Sequence, residues 1–131
     1  MDLRYRKQKK ISEGVIEKII KLLQEQKYLN DEAYAKNYLL DKLARKPLGK
    51  RLLKFKLIEK GVGKEITEKT IEENYTEEKE TELAAEVLKK YRKKIKDKDS
   101  YEVKNKCYRY LVSKGYDFEI VNKVLKIEEE E

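Results

Sequence analysis

Gly49-Lys-Arg-Leu-Leu-Lys-Phe-Lys-Leu-Ile-Glu-Lys-Gly-Val-Gly-Lys-Glu-Ile-Thr-Glu-Lys-Thr-Ile71 reads as a basic helix, a glycine stop and a second, shorter helix. Its last part, Gly61 to Ile71, returns as Gly115-Tyr-Asp-Phe-Glu-Ile-Val-Asn-Lys-Val-Leu125 and, less well, as Lys10-Ile-Ser-Glu-Gly-Val-Ile-Glu-Lys-Ile-Ile20. Apolar residues align at Ile11, Val62 and Tyr116, at Val15, Ile66 and Ile120, and at Ile20, Ile71 and Leu125, with Lys18, Lys69 and Lys123 also in register. A recurrence at roughly fifty residues marks a repeat architecture, in which each unit buries its apolar stripe only against its neighbours.

Composition agrees. Of 131 residues, 39% are apolar and 45% charged, so any core is thin. Five glycines, one proline (Pro47) and no Asn-Gly or Asp-Gly pair leave strands without their usual punctuation, so the expected class is all-α. The formal charge of +7, with the basic residues clustered, favours a polyanionic partner, nucleic acid before membrane. Lysine-rich faces that only solvate the helices are the alternative. One cysteine excludes an intramolecular disulfide and a multi-cysteine metal site, and the lack of histidine removes the commonest metal ligand and general base. A reducing, cytoplasmic compartment fits, and no apolar run is long enough for a membrane span.

Working outward, residues 1–28 look like a partial first repeat, the end of one helix plus a closing helix capped by Ser12. In it Val15, Ile16, Ile19, Ile20, Leu22 and Leu23 share one face. A second three-helix repeat is expected over residues 29–75. Asn30 would cap its first helix, Tyr34, Ala35, Tyr38 and Leu39 would form the buried stripe, and Pro47 would close it near Arg45. In the next helix, Leu48 to Lys60, one arc of Leu48, Leu52, Phe55 and Ile58 and another of Leu53 and Leu57 predict a helix sandwiched between neighbours.

A third repeat over residues 76–127 starts at Thr76 and buries Leu83, Ala84, Val87, Leu88, Tyr91 and Ile95. Asp99 and Glu102 resemble a capping box for a helix burying Val103, Cys107, Tyr110 and Leu111. Gly115 ends that helix as Gly61 ends its counterpart. The acidic tail, residues 128–131, reads as a frayed, solvated end, and alternatively as a flap competing in cis for the basic faces.

No Walker loop, serine elbow, cysteine and histidine pair or metal-spaced acidic cluster is present, so no enzyme, metal or cofactor is expected. Cys107 fits a buried apolar position better than a nucleophile. Tyr101, Tyr108 and Tyr116 are open to base stacking, with packing as the default. The basic clusters carry the binding expectation: Arg45, Lys46, Lys50, Arg51 and Lys54, then Lys89, Lys90, Arg92, Lys93 and Lys94, then Lys104, Lys106 and Arg109. Stacked units would align them into a strip suited to a phosphate backbone or an acidic protein groove.

Three stretches, Tyr28-Leu-Asn-Asp-Glu-Ala-Tyr-Ala-Lys-Asn-Tyr38, Gly49 to Val62, and Lys106-Cys-Tyr-Arg-Tyr-Leu-Val-Ser-Lys-Gly-Tyr116, resemble in order and spacing the RecX family of recombination regulators. The resemblance covers about residues 9–126, enters close to the last helix of the family's first repeat, and departs from it at Lys56, where the family often has an acidic residue. It implies an elongated, curved array of tandem three-helix repeats. It also implies a non-enzymatic regulator, most simply an inhibitor, of the RecA recombinase in homologous recombination, DNA repair and the SOS response. Such a protein binds the RecA filament on single-stranded DNA and hinders its ATP hydrolysis and strand exchange, with the basic strip as contact surface. A monomer is expected. A stand-alone nucleic-acid-binding helical module is the rival.

Overall fold

The computed structural model of the chain describes residues 3–96 and 99–130, with side chains from Ser12 onward. Ile11 of the aligned set and Glu131 of the tail therefore lie outside the described side chains. The architecture is all-α, in tandem helix triplets. The helices are α1 (Leu3–Arg45), α2 (Lys50–Glu59), α3 (Lys64–Asn74), α4 (Glu77–Arg92), α5 (Ser100–Ser113) and α6 (Phe118–Glu130).

The largest departure from expectation is at the start. The closing helix of the first unit and the opening helix of the second are one rod of 43 residues, roughly 65 Å long at 1.5 Å per residue. The joining segment, Leu22 to Leu29, holds neither glycine nor proline and is rich in Leu, Gln, Glu and Lys, all good helix formers. Nothing there stops a helix once begun, so Ser12 and Asn30 are interior residues and not caps. Val15, Ile16, Ile19, Ile20, Leu22 and Leu23 are all exposed on this rod, which is an arm from residue 12 to about 29.

From there the chain packs. α3 lies on α1 and α2, while α4, α5 and α6 all contact one another. One core joins Ala35, Leu57, Val62 and Ile66, and a second joins Leu39, Leu48, Leu53, Ile71 and Tyr75 with Leu83 of α4. The third, between α4, α5 and α6, contains Leu88, Cys107, Leu111, Tyr116, Val121 and Val124. The expected sandwich around α2 is only half realised. Leu53 and Leu57 are buried under α3, and Leu48 of the other arc is buried at the joint, but Phe55 and Ile58 further along that arc are exposed.

Side-chain caps account for the starts of α4 and α5. The Thr76 hydroxyl accepts from the Lys79 N–H, and the Asp99 carboxylate accepts from the Tyr101 N–H. Helix α6 continues through Glu130, into the tail expected to begin at residue 128. The acidic residues Glu128 and Glu129 are held by Arg92 and Lys104 rather than frayed.

The two triplets meet end to end. The N–H groups of Gly49 and Arg51, unpaired donors at the start of α2, donate to the carbonyls of Lys114 and Gly115 just past α5, at 2.9 and 3.2 Å. That approach leaves no room for side chains. A Cβ on Gly49 would lie 2.2 Å from the Gly115 carbonyl carbon, and one on Gly115 would lie 2.2 Å from the Leu52 Cβ. Gly115 also sits at φ 93°, a left-handed conformation that side chains disfavour.

Glu80 of α4 completes the joint. Its carboxylate accepts from the Lys50 N–H at 2.8 Å, where the positive end of the α2 dipole favours an anion. Burial pushes its carboxyl above the ordinary 4.5, opposed by that hydrogen bond and the Lys50 charge. The Tyr75 hydroxyl donates to the Leu48 carbonyl at 2.8 Å across the same region.

Candidate polyanion-binding cleft

The joint has an outer side. There the C-terminal end of α1, with α2, faces α4 and α5 across a cavity of about 510 Å³. Seven cations line it, Lys42, Arg45, Lys46, Lys56, Lys90, Lys94 and Lys114, against one acid, Glu86. Leu48, Leu52 and Val87 form the apolar part of its wall, and Tyr91 and Tyr110 stack at 3.9 Å with planes 3° apart. The Lys114 ammonium lies 5.4 Å from the Tyr110 ring centre, a cation–π distance that sets the charge at the edge of the stack.

Local sequence explains the convergence. Lys42 and Arg45 fall on one face of the last turn of α1, and Pro47 turns the chain so that Lys46 projects beside them. Lys90 lies in the last turn of α4 and Lys94 in the turn that follows it, and Lys114 immediately precedes the glycine that ends the α5 turn. Of the sequence-predicted residues, the cleft therefore gathers Arg45, Lys46, Lys90 and Lys94. Lys42, Lys56 and Lys114 were missed. Lys42 had a signal in its three-residue spacing from Arg45, whereas Lys56 and Lys114 arrive only through the packing of the triplets.

Other cations singled out in the sequence have structural work. The Arg51 guanidinium donates to the Val112 carbonyl at 2.6 Å and so caps the end of α5. Lys54 pairs with Glu68 at 2.8 Å, and the Lys50 ammonium lies 5.8 Å from the Tyr75 ring centre. Arg92 and Lys104 meet the tail glutamates, and the Arg109 Nε donates to the Asn105 carbonyl of its own helix at 3.4 Å. Lys89 lines a different hollow, between α4 and α6, and Lys93 stands at the end of α4. Lys106 is half-buried on α5. The thirteen residues are thus spread over several surfaces.

Among the described residues no group of three His, Cys, Asp or Glu converges as a metal ion would require, and no helix is long and apolar enough to cross a membrane. Cys107 is buried against α6, and that burial pushes its thiol up, away from the nucleophilic thiolate.

Comparison with known proteins decides the family. Residues 30–71 match the model of the second three-helix domain of RecX, and residues 77–125 match that of the third. The chain belongs to the RecX family. It is 36% identical over 122 residues to the regulatory protein RecX of Clostridium beijerinckii, covering 92% of this chain and 56% of that one. The RecX of Caldanaerobacter subterraneus is 32% identical over 121 residues, 92% of this chain and 58% of that one. The chain thus spans about half the length of the curated RecX proteins it matches. In fold it is similar to the crystal structure of RecX from Lactobacillus salivarius, with a TM-score of 0.73 at 23% identity over 85% of this chain and 71% of that one. A second RecX crystal structure gives 0.72 at 24% identity over 92% of this chain and 60% of that one.

Proposed function

We propose that the protein is a non-enzymatic regulator of RecA that acts in the cytoplasm, as a monomer, on the filament that RecA forms on single-stranded DNA. It binds that filament, hinders its ATP hydrolysis and strand exchange, and so acts as an inhibitor in recombination and DNA repair. The observation that carries this is the junction cleft, seven cations against one acid on a body that belongs to a family of regulatory proteins. Its mechanism is occlusion. A curved body with a basic cleft sits on a polyanionic assembly and favours the state that leaves room for it. The contact residues we assign are Arg45, Lys46, Lys90 and Lys94 with Lys42, Lys56 and Lys114. Lys50, Arg51 and Lys54 are withdrawn from the contact set because they do not line the cleft, and Arg51 and Lys54 are besides held by Val112 and Glu68.

The test is the ATPase rate of RecA on single-stranded DNA while the protein is titrated in at constant salt. Suppression at a small fraction of the RecA concentration is expected, and its loss in the Lys46→Glu, Lys90→Glu, Lys94→Glu variant. No change at equimolar protein would overturn the proposal. The stacked tyrosines beside the cations favour one further reading, direct binding of a single strand without RecA. A steep loss of oligonucleotide affinity with rising salt, unaccompanied by any effect on RecA, would establish that instead.

A further inference from the structure

The last turn of α6 crosses the end of α4 and the start of α5. There Glu128 Oε1 accepts from Arg92 Nη1, and Glu129 pairs with the Lys104 ammonium at 2.9 Å. Both glutamates line a hollow of about 370 Å³ together with Arg92, Tyr101, Lys104 and Cys107. Tyr101 is 70% exposed at its rim. In chemical terms the two carboxylates stand where phosphate oxygens of a nucleic-acid strand would stand, each on a cation and beside an exposed aromatic ring.

We infer that this hollow is a second nucleic-acid backbone site and that Glu128 and Glu129 are its competitor in cis. The inference rests on the proposal that the protein contacts single-stranded DNA, and adds to it a regulated site outside the junction cleft. Three features make the tail a weak occupant. Glu128 Oε2 is buried with no partner, so half of that carboxylate is desolvated without return. A run of glutamates at a helix C-terminus opposes the helix dipole. Both ion pairs are partly exposed, a class of pair that holds weakly and is screened by salt. A DNA strand brings one charge per nucleotide and the free energy of counterion release, so it displaces two glutamates while they set its threshold.

The experiment measures binding of a fluorescent oligothymidylate to the full chain, to Glu128→Gln/Glu129→Gln, and to Glu13→Gln/Glu17→Gln. The last makes the same charge change on the exposed arm. Glutamine keeps the helix propensity of glutamate, and circular dichroism verifies that α6 is retained. Freeing the hollow tightens binding about five-fold, the size of one weak ion pair's competition. It also steepens the logarithmic salt slope by about 1.4 as two more phosphates are neutralised. Adding Arg92→Gln and Lys104→Gln to the tail variant abolishes the gain. Equal tightening by both glutamine pairs would overturn the inference, since net charge would then explain it. An unchanged affinity in the tail variant, with loss of binding in the Lys46→Glu, Lys90→Glu, Lys94→Glu variant, would also overturn it and leave the cleft standing. Absence of binding by every form would remove the direct DNA contact and the inference together.

Discussion

One apolar pattern occurs in three places and meets two fates. Ile66, Thr67, Thr70 and Ile71 of α3 are buried, as are Ile120, Val121, Val124 and Leu125 of α6. The equivalent Val15, Ile16, Ile19 and Ile20 of the arm are each about half exposed, although they are more apolar than the α3 set with its two threonines. The stripe records which face of a helix can be buried. What covers that face is a property of the neighbours: α3 packs on α1 and α2, and α6 on α4 and α5, whereas among the described residues the arm's stripe is left exposed.

The largest expected contrast between body and arm uses glycine. Gly115→Ala places a Cβ at φ 93° and 2.2 Å from the Leu52 Cβ, so it forces apart the joint between the triplets. A loss of about 3 kcal/mol or more is expected in urea unfolding. Gly14→Ala meets nothing within 4 Å and raises helix stability by about 0.5–1 kcal/mol. Comparable losses at both positions would mean that the arm is as tightly packed as the body.

Residues in the same register sharpen the point. Leu125→Ala empties a buried position in α6 and is expected to cost about 3 kcal/mol. Ile20→Ala, its counterpart on the arm, is exposed at 48% and is expected to stay within about 0.5 kcal/mol. A cost above about 1.5 kcal/mol for Ile20→Ala would show the arm covered in solution.

The contrast also explains what was legible beforehand. Helices with a local stop or start signal were readable: Gly61 and Gly115 both take positive φ, and Thr76 and Asp99 both cap. The break expected near Asn30 had only a start signal and no stop before it, so propensity carried the helix through. For the cleft, charge clusters along the chain identified the ends of α1 and α4, because their cations are local to one helix turn. Clustering could not tell that Arg51 turns back to cap α5, or that Lys114 swings into the cleft, since both depend on a partner some sixty residues away in the chain. Glu80 was equally hidden. As one more glutamate at the start of an acidic helix it has no pattern of its own, yet its carboxylate holds the N-terminus of α2.

Among the described residues Glu80 is the buried charged side chain, and it gives the body a pH response. Its carboxyl is held above the ordinary 4.5 by burial. Over a window from 4.5 upward the folded chain therefore keeps a proton that the unfolded chain has lost, and stability falls as pH rises through that window. Glu80→Gln is expected to flatten this fall while still accepting from the Lys50 N–H, whereas Glu80→Ala orphans that donor and costs about 2 kcal/mol. An unchanged pH profile in Glu80→Gln would assign the slope to other groups.

The smallest effect bears on why the arm is one rod. Thr76 and Asn30 carry the same signal, a short polar residue followed by two acids, and differ in what precedes them. Before Thr76 the chain has left α3 through Tyr75, whose non-helical φ of −137° and ψ of 89° end the helix and free Thr76 to cap. Before Asn30 the helix arrives unbroken, so the side chain has no free N–H to accept from and only lowers helix propensity. Thr76→Ala is therefore expected to lose about 1 kcal/mol, and Asn30→Ala to gain up to about 0.5 kcal/mol in stability and helicity. Should Asn30→Ala instead lose helicity by circular dichroism, Asn30 caps a helix in solution, and the arm and the first helix of the body are two elements that part there.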